Sequence, residues 1–146
     1  MRSNLNNKNM KRINFIVIVL VWLSCTAIQC ESDKCHKVIT FVNKSSKEVY
    51  VYNSSNSDTS NFRFPNPYNQ PDIYKVNSGK KNDLWDRDCY ESQIKQGQVI
   101  VYVFDAEVLA NYSWGTVKKN YMVLKTIRPT LEEMQNNNWT IYFTGD

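Results

Sequence analysis

The sequence predicts a mainly β domain: an antiparallel β-sandwich or barrel-like sheet with one short helix in its C-terminal half. Three observations point there. Aromatic residues make up 13% of the 146 residues, with 9 Tyr and 4 Trp, and such residues favour strands. Short apolar, β-branched segments recur between Asn-, Ser- and Pro-containing stretches, the spacing of a small all-β domain. Only 4 Gly and 4 Pro are present, which excludes collagen-like and low-complexity classes. The length suits one domain.

The elements follow in chain order. Val38 to Val42 reads as a strand, ended by the turn Asn43-Lys44-Ser45-Ser46. Glu48 to Tyr52 is the next strand, so the two are expected to form a hairpin. Asn53 to Asn61 is a Ser/Asn-rich loop, and two prolines make Phe62 to Tyr68 irregular. Ile73 to Val76 is at most a short strand, Ser78 to Asn82 a turn, and Asp83 to Ile94 a segment with room for one helical turn. Gln98 to Asp105 is apolar at nearly every position, so it is expected at the centre of the sheet with both faces covered. Ala106 to Tyr112 fits one or two helical turns, and Lys118 to Ile127 reads as strand, stopped by Arg128-Pro129. Thr130-Leu131-Glu132-Glu133 has the spacing of a capping box, which starts the one firm helix. Trp139 to Thr144 is the last strand.

The N-terminus has a different pattern. Arg2, Lys8, Lys11 and Arg12 precede an apolar run from Phe15 to Leu23, followed by the small residues Ser24-Cys25-Thr26-Ala27. Basic, then apolar, then small is the plan of a secretory signal peptide. The apolar run is about half of the ~20 residues that span a bilayer. Two cleavage readings stand side by side. In one, Trp22-Leu23-Ser24-Cys25 acts as a loose lipobox and Cys25 is lipidated, tethering the protein to a membrane by more than one acyl chain. In the other, cleavage follows Ala27 and the protein is secreted. Translation from Met10 would give a more compact signal. The expected organisation is therefore signal peptide 1–25, polar tether 26–34 and a single β-rich domain 35–146.

An exported chain meets an oxidising compartment, where cysteines pair. Of Cys25, Cys30, Cys35 and Cys89, the favoured pair is Cys35–Cys89, with Cys30–Cys89 as the alternative. Cys30-x4-Cys35-His36 supplies soft metal ligands, but no second cluster accompanies it, and neighbouring residues on a strand face opposite ways. No metal or cofactor is expected.

Catalytic signatures are sparse. His36 is the only histidine, which excludes paired-histidine zinc motifs; a surface or capping role is expected for it. Asp86-Arg87-Asp88 reads as a solvated loop, since the calcium-loop pattern is missing. Glu132 and Glu133 sit where a helix N-terminus favours negative charge. A carboxylate pair for glycoside hydrolysis could be drawn from Glu91, Asp105 and Glu107, although nothing in the sequence fixes a separation. The aromatics Trp85, Trp114 and Tyr112, with Tyr68 and Tyr74, fall in loops or at strand ends. They are the candidate ligand-stacking residues, for sugar rings or peptides; core filling is the competing reading. Four Asn-x-Ser/Thr sequons reflect the abundance of Asn.

The segments Cys35-His36-x2-Ile39-Thr40-Phe41-x-Asn43-x-Ser45, Cys89-Tyr90-Glu91, Val101-Tyr102-Val103-Phe104-Asp105-Ala106 and Asn138-Trp139-Thr140-Ile141 together resemble a group of small exported, lipoprotein-like proteins of gut Bacteroidota. The resemblance implies export and a β-rich fold, and no reaction. Three roles are compatible with it: a non-enzymatic envelope protein that binds a glycan or an envelope protein or serves structure; a small secreted carboxylate-dependent hydrolase; or an accessory subunit of an envelope complex.

The overall charge is +4, from 18 Lys+Arg and 14 Asp+Glu. Residues 1–25 carry 4 of those bases and no acid, so the remainder has 14 of each and a net charge of 0. The basicity belongs to the export signal, and a nucleic-acid partner is not expected.

Overall fold

A computed structural model describes residues 35–54 and 64–145. The expectations for Cys25, Cys30 and the tether concern residues outside these, as does most of the Ser/Asn-rich loop. The described residues form seven strands in two sheets, with five short helices. The strands are β1 (Val38–Asn43), β2 (Val49–Ser54), β3 (Lys75–Val76), β4 (Lys81–Trp85), β5 (Ile100–Asp105), β6 (Lys125–Ile127) and β7 (Thr140–Phe143). The helices are α1 (Pro71–Tyr74), α2 (Tyr90–Lys95), α3 (Ala106–Asn111), α4 (Trp114–Lys119) and α5 (Leu131–Asn136). One sheet has the order β4-β1-β7, the other β3-β2-β5-β6. Among the described residues neither closes into a barrel, and no helix is long and apolar enough to cross a membrane.

Strand alternation explains the core. In β1, Ile39, Phe41 and Asn43 are buried while Val38, Thr40 and Val42 lie partly exposed on the other face. β5 is buried at all six positions, as the continuous apolar run predicts. Its two faces differ in chemistry. Val101 and Val103 join Val49 and Val51 of β2 in one cluster, which also takes Ile39, Phe41, Ile141 and Phe143 from the three-stranded sheet. Ile100, Tyr102 and Phe104 join Tyr50 in a second cluster, covered by Leu109 of α3 and Val117 of α4. Tyr50 lies opposite Phe104 and Tyr52 opposite Tyr102 in the β2–β5 ladder, so the aromatic face is built from cross-strand pairs.

The structure corrects four expectations. The predicted hairpin does not form: β1 pairs with β4 and β7, β2 with β3 and β5. The turn after Asn43 carries the chain from one sheet to the other instead. Pairing is not wholly antiparallel, because β7 runs parallel to β1, with Phe41 opposite Ile141. The segment read as a strand from Lys118 begins as helix. Ser113 caps α4 by accepting the Thr116 N–H at 3.2 Å, and only Lys125–Ile127 is extended. The one firm helix expected is α5, the helical turns expected within Asp83 to Ile94 and at Ala106 to Tyr112 are α2 and α3, and α1 and α4 are additional. At four and six residues, these two are too short for an apolar periodicity of 3.6 to register.

The capping box on α5 is present. Thr130 Oγ1 accepts the Glu133 N–H at 3.2 Å, and the Glu133 carboxylate accepts the Thr130 N–H at 2.8 Å. These hydrogen bonds hold the Glu133 carboxyl below its ordinary range. The helix, capped by Asn137, is followed by Asn138 and Trp139, both with left-handed backbone (φ 49° and 57°). Asn tolerates that geometry, and it turns Trp139 into the core.

Candidate functional site

Three tyrosine and asparagine contacts build the end of the molecule where β2 and β4 finish. Asn53 Nδ2 donates to the Trp85 carbonyl at 3.2 Å and to Tyr90 Oη at 2.8 Å. Tyr90 is fully buried, and its hydroxyl donates to the Leu84 carbonyl at 3.1 Å. Burial, with the charge of Asp86 added, pushes this phenol above its ordinary range, so it stays a neutral donor.

Beside this network lies a groove of about 390 Å³, bounded by the end of β2 (Tyr52, Asn53), by α1 (Ile73, Tyr74) and by Trp85, Asp86 and Arg87. A second cleft of about 440 Å³ continues along β4 past Asp72, Lys81 and Asn82. Both share Ile73, Asp83 and Trp85. Trp85 is 71% exposed, because Leu84 takes the inward position of β4 and the next residue must point out. Asp83 Oδ1 accepts the Thr40 hydroxyl at 2.9 Å, and Asp86 Oδ1 accepts the Asp88 N–H at 3.1 Å. Asn82 Nδ2 donates to the Ile73 carbonyl at 2.5 Å, which fixes α1 against β4. The groove therefore has a positioned aromatic floor and positioned carboxylates.

Cys35 and Cys89 are joined by a disulfide, as the sequence predicts. Next to it, His36 stacks on Trp139 with ring centroids 4.1 Å apart. The His36 N–H donates to both oxygens of Glu91, and Nδ1 lies 2.5 Å from Oε1. Glu91 is 9% exposed. Burial works against its charge, but the His36 hydrogen bonds outweigh it and hold the carboxyl below its ordinary range. This contribution to stability is present above the ordinary carboxylate pKa and fades as pH falls through the lower folded value. Between about pH 5 and pH 3 the wild-type protein is therefore expected to lose urea resistance more steeply than Glu91→Gln. Equal slopes would remove Glu91 from the acid response.

Of the carboxylates named in the sequence, Asp105 and Glu107 adjoin, while Glu91 belongs to the His36 contact. Asp105 caps α3 by accepting the Glu107 N–H at 2.9 Å and pairs with Lys47 at 2.7 Å. These bonds hold it below its ordinary range against the opposing effect of burial. Asp105 lies opposite Val49 at the start of β2, whereas the residue before Glu91 contacts Asn53 near the end of β2.

The predicted aromatics also separate. Trp85 is in the groove, with Tyr74. Trp114 is half-buried in the helical layer, against Phe64 at 5.7 Å and Phe104 at 5.6 Å; it packs rather than presents a free face. Tyr112 is 49% exposed between α3 and α4 and does not line the groove. Tyr68 tilts on Tyr50 at 5.6 Å. Tyr52, which stacks on Phe64 at 3.8 Å, and Asn53 were not singled out in the sequence; an amide ending a β-branched strand is the only signal they offer. Among the described residues no group of three or more His, Cys, Asp or Glu is placed to hold a metal ion.

No protein-family model, curated protein or solved structure matches the chain.

Proposed function

We propose that this is an exported envelope protein, lipid-tethered through Cys25, whose domain binds a ligand in the Trp85 groove without transforming it. The observation that carries the reading is the pair formed by Trp85, 71% exposed, and Ile73, 56% exposed, which together line both clefts; an exposed apolar patch rimmed by polar side chains marks a binding surface. Export is supported by the basic–apolar–small order of residues 2–27 and by the disulfide. Two sheets that contribute to one buried cluster fit a sandwich-like arrangement. Binding is favoured over hydrolysis because Glu91 and Asp105 are committed to His36 and Lys47.

The test has two arms. In a Gram-negative host, labelled palmitate is expected to enter the wild-type protein, and Cys25→Ser to abolish labelling and release the protein from membranes. Continued membrane association of an unlabelled protein would end the tether reading. With polysaccharide substrates, product analysis is expected to show no shortening. Cleavage that disappears in Asp83→Asn or Asp86→Asn would replace binding with hydrolysis.

A further inference from the structure

We propose that the Trp85 groove receives a neutral polysaccharide chain, one pyranose ring lying on the Trp85 indole and its neighbours extending into the clefts on either side. The inference rests on the binding reading and adds the ligand class.

The shape comes first. Two clefts of about 390 and 440 Å³ meet at Trp85, each in the size range of small-ligand sites. A floor shared by adjoining clefts suits a chain that passes over it. A flat, exposed indole offers its face to the C–H groups of a sugar ring, and it loses little conformational freedom on binding.

The polar lining comes second. Asp83 has one oxygen held by Thr40, with the other unpartnered among the described residues. Asp86 is held by the Asp88 N–H. Arg87 makes no ion pair among the described residues. Positioned carboxylates and a guanidinium are suited to adjacent hydroxyls, which donate and accept at once. The two clefts are lined by Asp72, Asp83 and Asp86 against Lys81 and Arg87, a formal charge of −1. That excess disfavours uronate-rich or sulfated chains.

An extended peptide is the main competing occupant, and the edge of β4 resists it. Strand addition needs free backbone groups along an edge. Here the Trp85 carbonyl on that edge takes the Asn53 amide, and the Asn82 side chain crosses to α1. These same ties leave the groove already organised before a ligand arrives, which lowers the cost of binding.

The experiment is titration of the wild-type protein with cellohexaose, xylohexaose and mannohexaose, followed by calorimetry and by NMR of the Trp indole N–H signals. Hexagalacturonate and a lysine-rich decapeptide serve as charged comparators. A saturable shift of the Trp85 signal by a neutral hexasaccharide is expected. Trp85→Ala should weaken it roughly tenfold, the effect of losing one aromatic contact. Trp85→Phe should retain most of the affinity, and Trp114→Phe should leave it unchanged. A Trp85 response to the peptide or hexagalacturonate alone overturns the neutral-polysaccharide assignment and leaves the binding role standing. No response to any probe overturns the glycan assignment and the binding role together.

Discussion

Replacing Cys35 and Cys89 together by serine is expected to lower the stability of the folded domain by about 4 kcal/mol, the chain-entropy value for cross-linking a loop of this length. The two cysteines are 54 residues apart. Their bond joins Cys35, three residues before β1, to the residue that precedes α2, so it closes a loop containing four of the seven strands. Neighbouring hydrogen bonds are arranged on the same junction: the Tyr90 N–H donates to the His36 carbonyl at 2.8 Å, and Glu91 receives His36. Urea unfolding with and without reductant measures the effect. The wild-type midpoint should fall on reduction, and the double variant should be indifferent to reductant. Equal midpoints in both conditions would remove the disulfide's contribution. Loss of the bond should also reach the groove, because Tyr90 follows Cys89 and is the anchor for Asn53 and Leu84. The reduced protein is accordingly expected to bind any Trp85 ligand more weakly even at temperatures where it stays folded.

Legibility in the sequence followed the range of each interaction. The capping box needs only residues 130 and 133, and it stands where the spacing predicts. The covered position of β5 is written in its own six residues. The cysteine pair was narrowed by compartment and by few alternatives. Sheet membership was not legible, because β1 and β2 are adjacent in the chain and both strongly apolar, and nothing local tells a hairpin from a crossing between sheets. The aromatics show the same limit. Trp85 and Trp114 look alike in sequence, yet one follows a buried Leu on an edge strand and the other begins a helix that lies on Phe104. Tyr52 and Asn53 enter the groove only because β2 ends beside β4, a juxtaposition set by residues more than thirty positions apart.

The crossing between sheets is made by Asn43, and this yields the second large expected effect. The residue is fully buried. Its Nδ2 donates to the Lys47 carbonyl at 2.7 Å and the Val76 carbonyl at 3.0 Å. Its Oδ1 accepts the Ser45 N–H at 3.0 Å and the Ser45 hydroxyl at 2.7 Å. One amide thus satisfies all four of its hydrogen-bonding sites while linking the end of β1, the turn and β3. Its backbone joins further neighbours: the Asn43 N–H donates to the Lys80 carbonyl and the Asn43 carbonyl accepts the Gly79 N–H, both at 2.9 Å. Asn43→Ala removes the side-chain amide and leaves its partners enclosed. An orphaned buried group costs about 1–3 kcal/mol. The hydroxyl of Ser45 can turn to the Lys47 carbonyl, already 3.3 Å away, so fewer than four groups are orphaned. The expected loss is about 3 kcal/mol, roughly 12 °C in melting temperature for a domain of this size. Asn43→Asp should cost as much, since a carboxylate cannot donate to either carbonyl and buries a charge. Ser45→Ala should cost about 1 kcal/mol, the ordinary net value of a hydrogen bond. A loss for Asn43→Ala no greater than that for Ser45→Ala would show that the crossing is held by backbone pairing alone.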